Sequence, residues 1–157
     1  MSSGLSIGTL AYIAGLFDGE GTAGINRKKR QRTAQYLYQC QAVLVNNNRE
    51  ILIWIQQMFG GSIYKRNYPD KKAVYNWRVV SREAQFFLRN IEPFSKLKIQ
   101  QIRLALALQK EIDDSPKVCV DNPINKRSLE QRENLFQHLR ILNQRGIPTL
   151  AIQERLN

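Results

Sequence analysis

The chain has 157 residues, 43% apolar and 24% charged, which is enough apolar material for a packed core. It carries 24 Lys and Arg against 13 Asp and Glu, a formal charge of +11, so nucleic acid, an anionic membrane or an acidic protein is the expected partner. A single histidine and two distant cysteines, Cys40 and Cys119, exclude the usual Cys/His zinc sites and histidine-dependent nuclease sites within one chain.

No apolar run approaches the roughly 18 residues of a membrane span, and "MSSGLSIGTL" lacks the charged and apolar regions of a secretory signal. The expectation is an intracellular protein with reduced cysteines, in an organelle or a bacterial cytoplasm. Residues 9–19, "TLAYIAGLFDG", read as a helix with Thr9 as N-cap. Residues 22–29 and 35–45 read as strands around a basic turn. The run "NRKKRQR" (26–32) holds five of the eight basic residues between Glu20 and Asp70, where Glu50 is the only acid. In the second strand Gln35, Leu37, Gln39, Gln41 and Val43 alternate with Tyr36, Tyr38, Cys40, Ala42 and Leu44, a period of two with one mostly polar, uncharged face.

"NNN" (46–48) is a turn and cap cluster, and 49–59 is an apolar helix ending at Gly60-Gly61. Strands at 62–67 and 73–80 follow, the latter turning Tyr75, Trp77 and Val79 to the core and Val74, Asn76 and Arg78 away from it. Helices are expected at 81–90, with Ser81 as a possible cap, at 95–112 after Pro93, and at 128–142 beyond a loop-like segment. The order is αββαββα with further helices, an α+β fold. Helices would cover one face of a curved antiparallel four-stranded sheet. The other face, rich in Gln, Asn, Arg and Lys, suits a DNA groove, because Arg and Lys read guanine while Gln and Asn read adenine. The candidate DNA-binding residues are Asn26, Lys28, Arg30, Arg32, Gln39, Gln41, Tyr64, Arg66, Asn76 and Arg78.

Ala11, Gly15 and Gly19 are spaced four apart on the first helix and stack on one face, with Ala14 and Asp18 alongside. Such a stripe lets a second helix approach backbone to backbone. No other copy of the stretch occurs in the chain, so the expected partner is the same helix of another subunit, in an isologous dimer through Ala11, Ala14, Gly15, Asp18 and Gly19. Glu20 would then sit at the foot of the helix pair, near its symmetry mate.

"IAGLFDGEG" (13–21) resembles the signature of the LAGLIDADG homing endonucleases, and the element order and single motif copy resemble the single-motif homodimeric branch. The resemblance covers about residues 8–110 of a chain read as one domain, 1–157, with a helical extension at 111–157. It implies a site-specific endonuclease that cuts both strands of a long pseudo-palindromic DNA target by metal-dependent phosphodiester hydrolysis and so promotes mobility of its own intron or gene. It implies that Glu20, where the family more often has Asp, binds the metal, that the Gly19 carbonyl completes the shell, and that Asp18 caps or packs the helix end. The family's polar active-site position falls at Asn46 or a neighbouring Asn. The family's lysine falls at Lys98, with Lys96 as the lesser choice, and Arg49 is a peripheral candidate. The implied cofactor is Mg²⁺, with Mn²⁺ as substitute and Ca²⁺ binding without cleavage. The implied partners are double-stranded DNA and a second copy, with no membrane and no small-molecule cofactor. The alternative is a cleavage-deficient member acting as an RNA maturase or DNA-binding regulator. A PD-(D/E)xK nuclease is disfavoured, because no E-x-K follows Pro69-Asp70.

Overall fold

The computed structural model describes residues 4–31, 35–116 and 123–144. Arg32 and Cys119 lie outside the described residues. The order is α1 (Ile7–Glu20), β1 (Gly21–Lys29), β2 (Tyr36–Asn46), α2 (Arg49–Phe59), β3 (Ser62–Tyr68), β4 (Lys71–Val80), α3 (Ser81–Ile91), α4 (Ile99–Asp114) and α5 (Lys126–Leu142), with a 3₁₀ turn at Glu92–Phe94. The strands form one antiparallel sheet in the order β1-β2-β4-β3.

The αββαββα order expected from sequence is present, and the differences lie at helix starts. Ser6, not Thr9, caps α1: its Oγ accepts the Thr9 N–H at 3.1 Å, and Thr9 already lies inside the helix. Asn48 caps α2 by accepting the Glu50 N–H at 2.9 Å. Ser81 is not a cap. It holds φ +51 at the strand-to-helix corner, and its hydroxyl accepts Gln39 Nε2 at 3.1 Å. The helix expected from residue 95 starts only at Ile99, because Ser95–Lys98 wrap around the Asp18 carboxylate instead of continuing as helix. Gly60 and Gly61, at φ +73 and +85, make the turn into β3 that residues with a Cβ rarely adopt.

The helical side of the sheet is dry. Tyr38, Cys40, Ala42 and Leu44 of β2 and Trp77 and Val79 of β4 are buried there with Ile13, Ala14 and Phe17 of α1. Phe87 of α3 is the hub of this core, edge-on to Trp77, Phe59 and Phe17 at centroid distances of 4.8, 5.0 and 5.3 Å. Trp77 Nε1 donates to Gly60 O at 2.8 Å, so its one polar atom is satisfied inside. The buried Arg132–Glu111 ion pair joins α5 to α4, and Arg27 of β1 joins the sheet to α5 through Glu133 at 2.7 Å.

Candidate active site and nucleic-acid interface

The chain leaves α1 at Glu20 and enters β1 at Gly21, so the last helical side chain projects at one end of the sheet. Gly21 is packed against Phe17; a Cβ there would lie 2.2 Å from the ring, which holds the corner to glycine. Asn46, the last residue of β2, comes to the same end. Its Nδ2 donates to Glu20 Oε2 at 2.7 Å, while its Oδ1 accepts the Asn48 N–H at 2.8 Å. The second bond fixes which way the amide faces, so Asn46 presents a donor to the carboxylate. Glu20 makes no other hydrogen bond among the described residues and is exposed.

Asp18 and Glu20, two residues apart, have opposite environments. The Asp18 carboxylate turns into its own chain and accepts from Ser95 Oγ at 2.5 Å and from the N–H groups of Lys96, Leu97 and Lys98 at 2.7, 3.1 and 3.2 Å. Desolvation pushes its pKa up, the four hydrogen bonds push it down, and the bonds win, leaving it below the ordinary carboxylate value. Lys98 Nζ donates to the carbonyls of Phe17 and Asp18 at 3.0 and 2.6 Å, the negative end of the α1 dipole. Burial lowers its pKa, opposed by the Asp18 charge. Lys96 is exposed and enters this network only through its backbone. Arg49 is exposed in the first turn of α2.

Among the described residues no three His, Cys, Asp or Glu side chains cluster as a metal cage. The donor set that is present is one exposed carboxylate with one free oxygen beside an amide donor. That suits a hard, mostly hydrated cation completed by phosphate oxygens, as Mg²⁺ is commonly held, and does not suit zinc.

The helical stripe separates into two sides. Ala11, Gly15 and Gly19 are exposed, and nothing lies within 4 Å of where a Cβ would stand at Gly15 or Gly19. Ala14 is fully buried in its own core and the Asp18 carboxylate is occupied within its own chain, so these two expected seam residues face inward. The reason is the helical repeat: Ala14 and Asp18 fall with Phe17 on the core side. Ile7 and Tyr12, which the small-residue spacing did not single out, are the large exposed residues of α1, with Tyr12 edge-on to Trp54 at 6.1 Å.

The side of the sheet away from the helices carries the even-numbered residues of β1 and the odd-numbered ones of β2. Asn26 pairs with Gln39, Gly24 with Gln41, and Lys28 with Leu37. Beyond them Arg78 lies between Val43 and Ser62, and Asn76 lies between Val45 and Tyr64. Lys28, Arg30, Tyr64 and Arg66 are exposed, with the Arg66 guanidinium 5.6 Å from the Tyr68 ring. Asn76 departs from the expected wet face: it is only 4% exposed, and neither its Nδ2 nor the Arg78 Nε has a hydrogen-bond partner among the described residues. Leu37, Val43, Val45 and Val74 stand among the polar groups, so this face is mixed.

Fold and site together define an αββαββα unit with one exposed carboxylate at the foot of a small-residue helix and a basic sheet face beside it. A family model described as LAGLIDADG endonuclease matches residues 13–96, more than half of the chain, and the chain belongs to that family. Among solved structures it is similar to the homing endonuclease I-CvuI (21% identity, 94% of this chain and 91% of that one, TM-score 0.71), which was crystallised with DNA. It is also similar to the archaeal intron-encoded homing endonuclease I-Vdi141I in complex with DNA (18% identity, 94% and 91%, TM-score 0.67). A third likeness is to the group I intron-encoded homing endonuclease I-CeuI bound to DNA (13% identity, 99% and 78%, TM-score 0.65). A search of curated protein sequences finds no match. No helix among the described residues is long and apolar enough to cross a membrane.

Proposed function

We propose that two copies of this chain form a divalent-metal-dependent endonuclease that makes a double-strand break in a long pseudo-palindromic DNA target, and that the break promotes mobility of its own intron or gene. The observation that carries this reading is the Glu20–Asn46 pair: an exposed carboxylate, hydrogen-bonded at one oxygen only among the described residues, at the end of a helix that presents Ala11, Gly15 and Gly19 outward along its C-terminal half. One chain supplies a single carboxylate, so cutting two strands requires two chains, and the bare Ala11–Gly15–Gly19 face brings two Glu20 residues together.

A bound Mg²⁺ or Mn²⁺ would polarise the scissile phosphate and lower the pKa of a water, with Glu20 and the Gly19 carbonyl as protein ligands. The chain's own residues do the rest. Asn46 orients the Glu20 carboxylate by donating to Oε2, leaving Oε1 for the cation. Lys98, anchored on Phe17 and Asp18 carbonyls, has one of its three protons uncommitted among the described residues and would supply positive charge to the negative charge that develops on the phosphate. Asn26, Lys28, Arg30, Gln39, Gln41, Tyr64, Arg66 and Arg78 place the DNA across the sheet.

The test is incubation with a plasmid library of candidate sites. Specific double-strand cuts with Mg²⁺, binding without cutting in Ca²⁺, and loss of cutting but not binding in Glu20→Gln are the expected results. Tight binding with no cutting in any divalent metal would overturn the enzymatic part of the reading.

A further inference from the structure

At the β1 border of the sheet a cleft of about 360 Å³ is lined by Thr22, Gly24 and Gln41 from the side away from the helices, by Arg140 and Asn143 at the end of α5, and by the apolar Ile25, Phe136 and Leu139. We infer that this cleft binds a phosphate of the DNA backbone, with Arg140 as the charged ligand. The inference rests on the DNA-binding reading above and deepens it.

Four observations lead there. First, β1 is an edge strand, and a sheet laid in a groove has phosphate backbones running along its borders. Second, the edge is already drawn to α5: Asn143 Nδ2 donates to Ala23 O at 3.0 Å, which fixes the end of that helix beside the strand. Third, Arg140, one turn before Asn143, is exposed and has no carboxylate partner among the described residues, whereas Arg27 and Arg132 are consumed by Glu133 and Glu111. Fourth, the described residues lining the cleft include no acid. Gly24 is buried beneath the Gln41 side chain, whose amide nitrogen lies 3.3 Å from where a Gly24 Cβ would stand. The Arg140 cation, the Gln41 amide and the Thr22 hydroxyl share an acid-free cleft whose remaining walls are partly apolar, which favours an anion at its polar groups, and a backbone phosphate is the anion that a groove-seated sheet brings to its border.

Arg140 also sits in the last turn of α5, where a positive charge favours the helix dipole. The experiment therefore separates charge from phosphate contact. Binding of a fluorescein-labelled duplex of arbitrary sequence is measured by anisotropy against salt, in Ca²⁺, for wild type, Arg140→Gln and Arg140→Lys, with thermal midpoints recorded alongside. The expected result is that R140Q weakens binding at low salt and reduces the log Kd–log salt slope by about 0.9 per chain, that R140K restores most of the slope, and that both melt near wild type. An unchanged slope and affinity in R140Q overturns the inference while leaving DNA binding intact. If R140Q melts early, R140K decides: a native melt with full slope supports the contact, and a native melt with a slope as low as that of R140Q overturns the phosphate site. If wild type itself binds no duplex, the DNA reading fails and this inference falls with it.

Discussion

Lys98 and Asp18 are joined through both main chain and side chain: the Lys98 N–H reaches Asp18 Oδ1 at 3.2 Å, and the Lys98 amine reaches the Asp18 carbonyl at 2.6 Å. The C-terminal end of α1, which carries Glu20, is thereby tied to the start of α4. The tie explains why two acids only two residues apart differ in role: Asp18 is spent on holding the corner, and Glu20 is left exposed.

Asp18→Asn should destabilise the fold. Asn retains one acceptor but replaces charge-assisted bonds, which contribute about 1.5–3 kcal/mol, so a loss of about 2 kcal/mol and a drop of about 4–8 °C in the melting midpoint at fixed protein concentration are expected. The sign of the pH effect follows from the lowered folded pKa. The contribution is fully present above the ordinary value of 3.8 and is lost as pH falls through the folded value. The gap between wild type and variant should be constant near neutrality and close in acid; a gap that widens in acid would contradict the hydrogen-bonded carboxylate.

Much of this architecture is readable from sequence because periodicity reports burial. The period-two pattern of β2 and the capped apolar run of α2 describe elements that the structure contains, because each is set by a face meeting a core. The start of α4 is not readable: Ser95–Lys98 are displaced by an acid 77 to 80 residues earlier, and no local pattern encodes that. The burial of Asn76 is hidden for a similar reason, since alternation assigns a side of the sheet but not how far flanking residues cover it. Ala14 shows a limit of the small-residue argument. Alanine fits a helix seam and a tight core equally well, and only the position of Phe17 settles which applies. Within the candidate site, Glu20 is marked by motif and spacing, whereas the choice of Asn46 over its neighbours requires the geometry that brings its Nδ2 to the carboxylate.

Asn46→Ala removes the only hydrogen bond to the Glu20 carboxylate among the described residues. A partner that orients a metal ligand is worth about 10–100-fold, so the single-turnover cleavage rate in Mg²⁺ should fall by that range. Affinity for DNA in Ca²⁺ should change little, because the amide is committed to the Glu20 carboxylate and the Asn48 N–H. Equal losses in rate and affinity would instead make Asn46 a DNA contact.

Arg27 and Lys28 are neighbours with opposite expected effects on DNA binding. Arg27 points to the helical side, bonded to Glu133 and held 4.5 Å from both the Tyr36 and Phe136 rings. Glu133 also accepts from Gln137 Nε2 at 2.6 Å and from Tyr38, whose pKa burial and this bond push up to about 12. Arg27→Met should lower the melting midpoint and leave the salt dependence of DNA binding as in wild type. Lys28→Ala should leave the melt unchanged and reduce the salt slope by about 0.9 for each phosphate that the lysine neutralises. A reduced slope in R27M with a native melt would place Arg27 on DNA.

Gly15 gives the sharpest separation between monomer and dimer. A Cβ at this position meets nothing within 4 Å in the isolated chain, so the monomer accommodates a side chain there. Replacing a mid-helix glycine also removes its backbone entropy cost, and Gly15→Ala should make α1 more favourable by about 1 kcal/mol. A seam built on backbone-to-backbone approach has no such room, because an added side chain pushes the two helices apart and separates the two Glu20 carboxylates. Gly15→Leu should therefore remain folded by circular dichroism, sediment as a monomer at concentrations where wild type is dimeric, and lose double-strand cleavage. The same substitution made at Gly4, which also has nothing within 4 Å but lies before α1, should leave assembly unchanged. If Gly15→Leu sediments as a wild-type dimer, the two chains meet through a different surface and the paired Glu20 geometry does not hold.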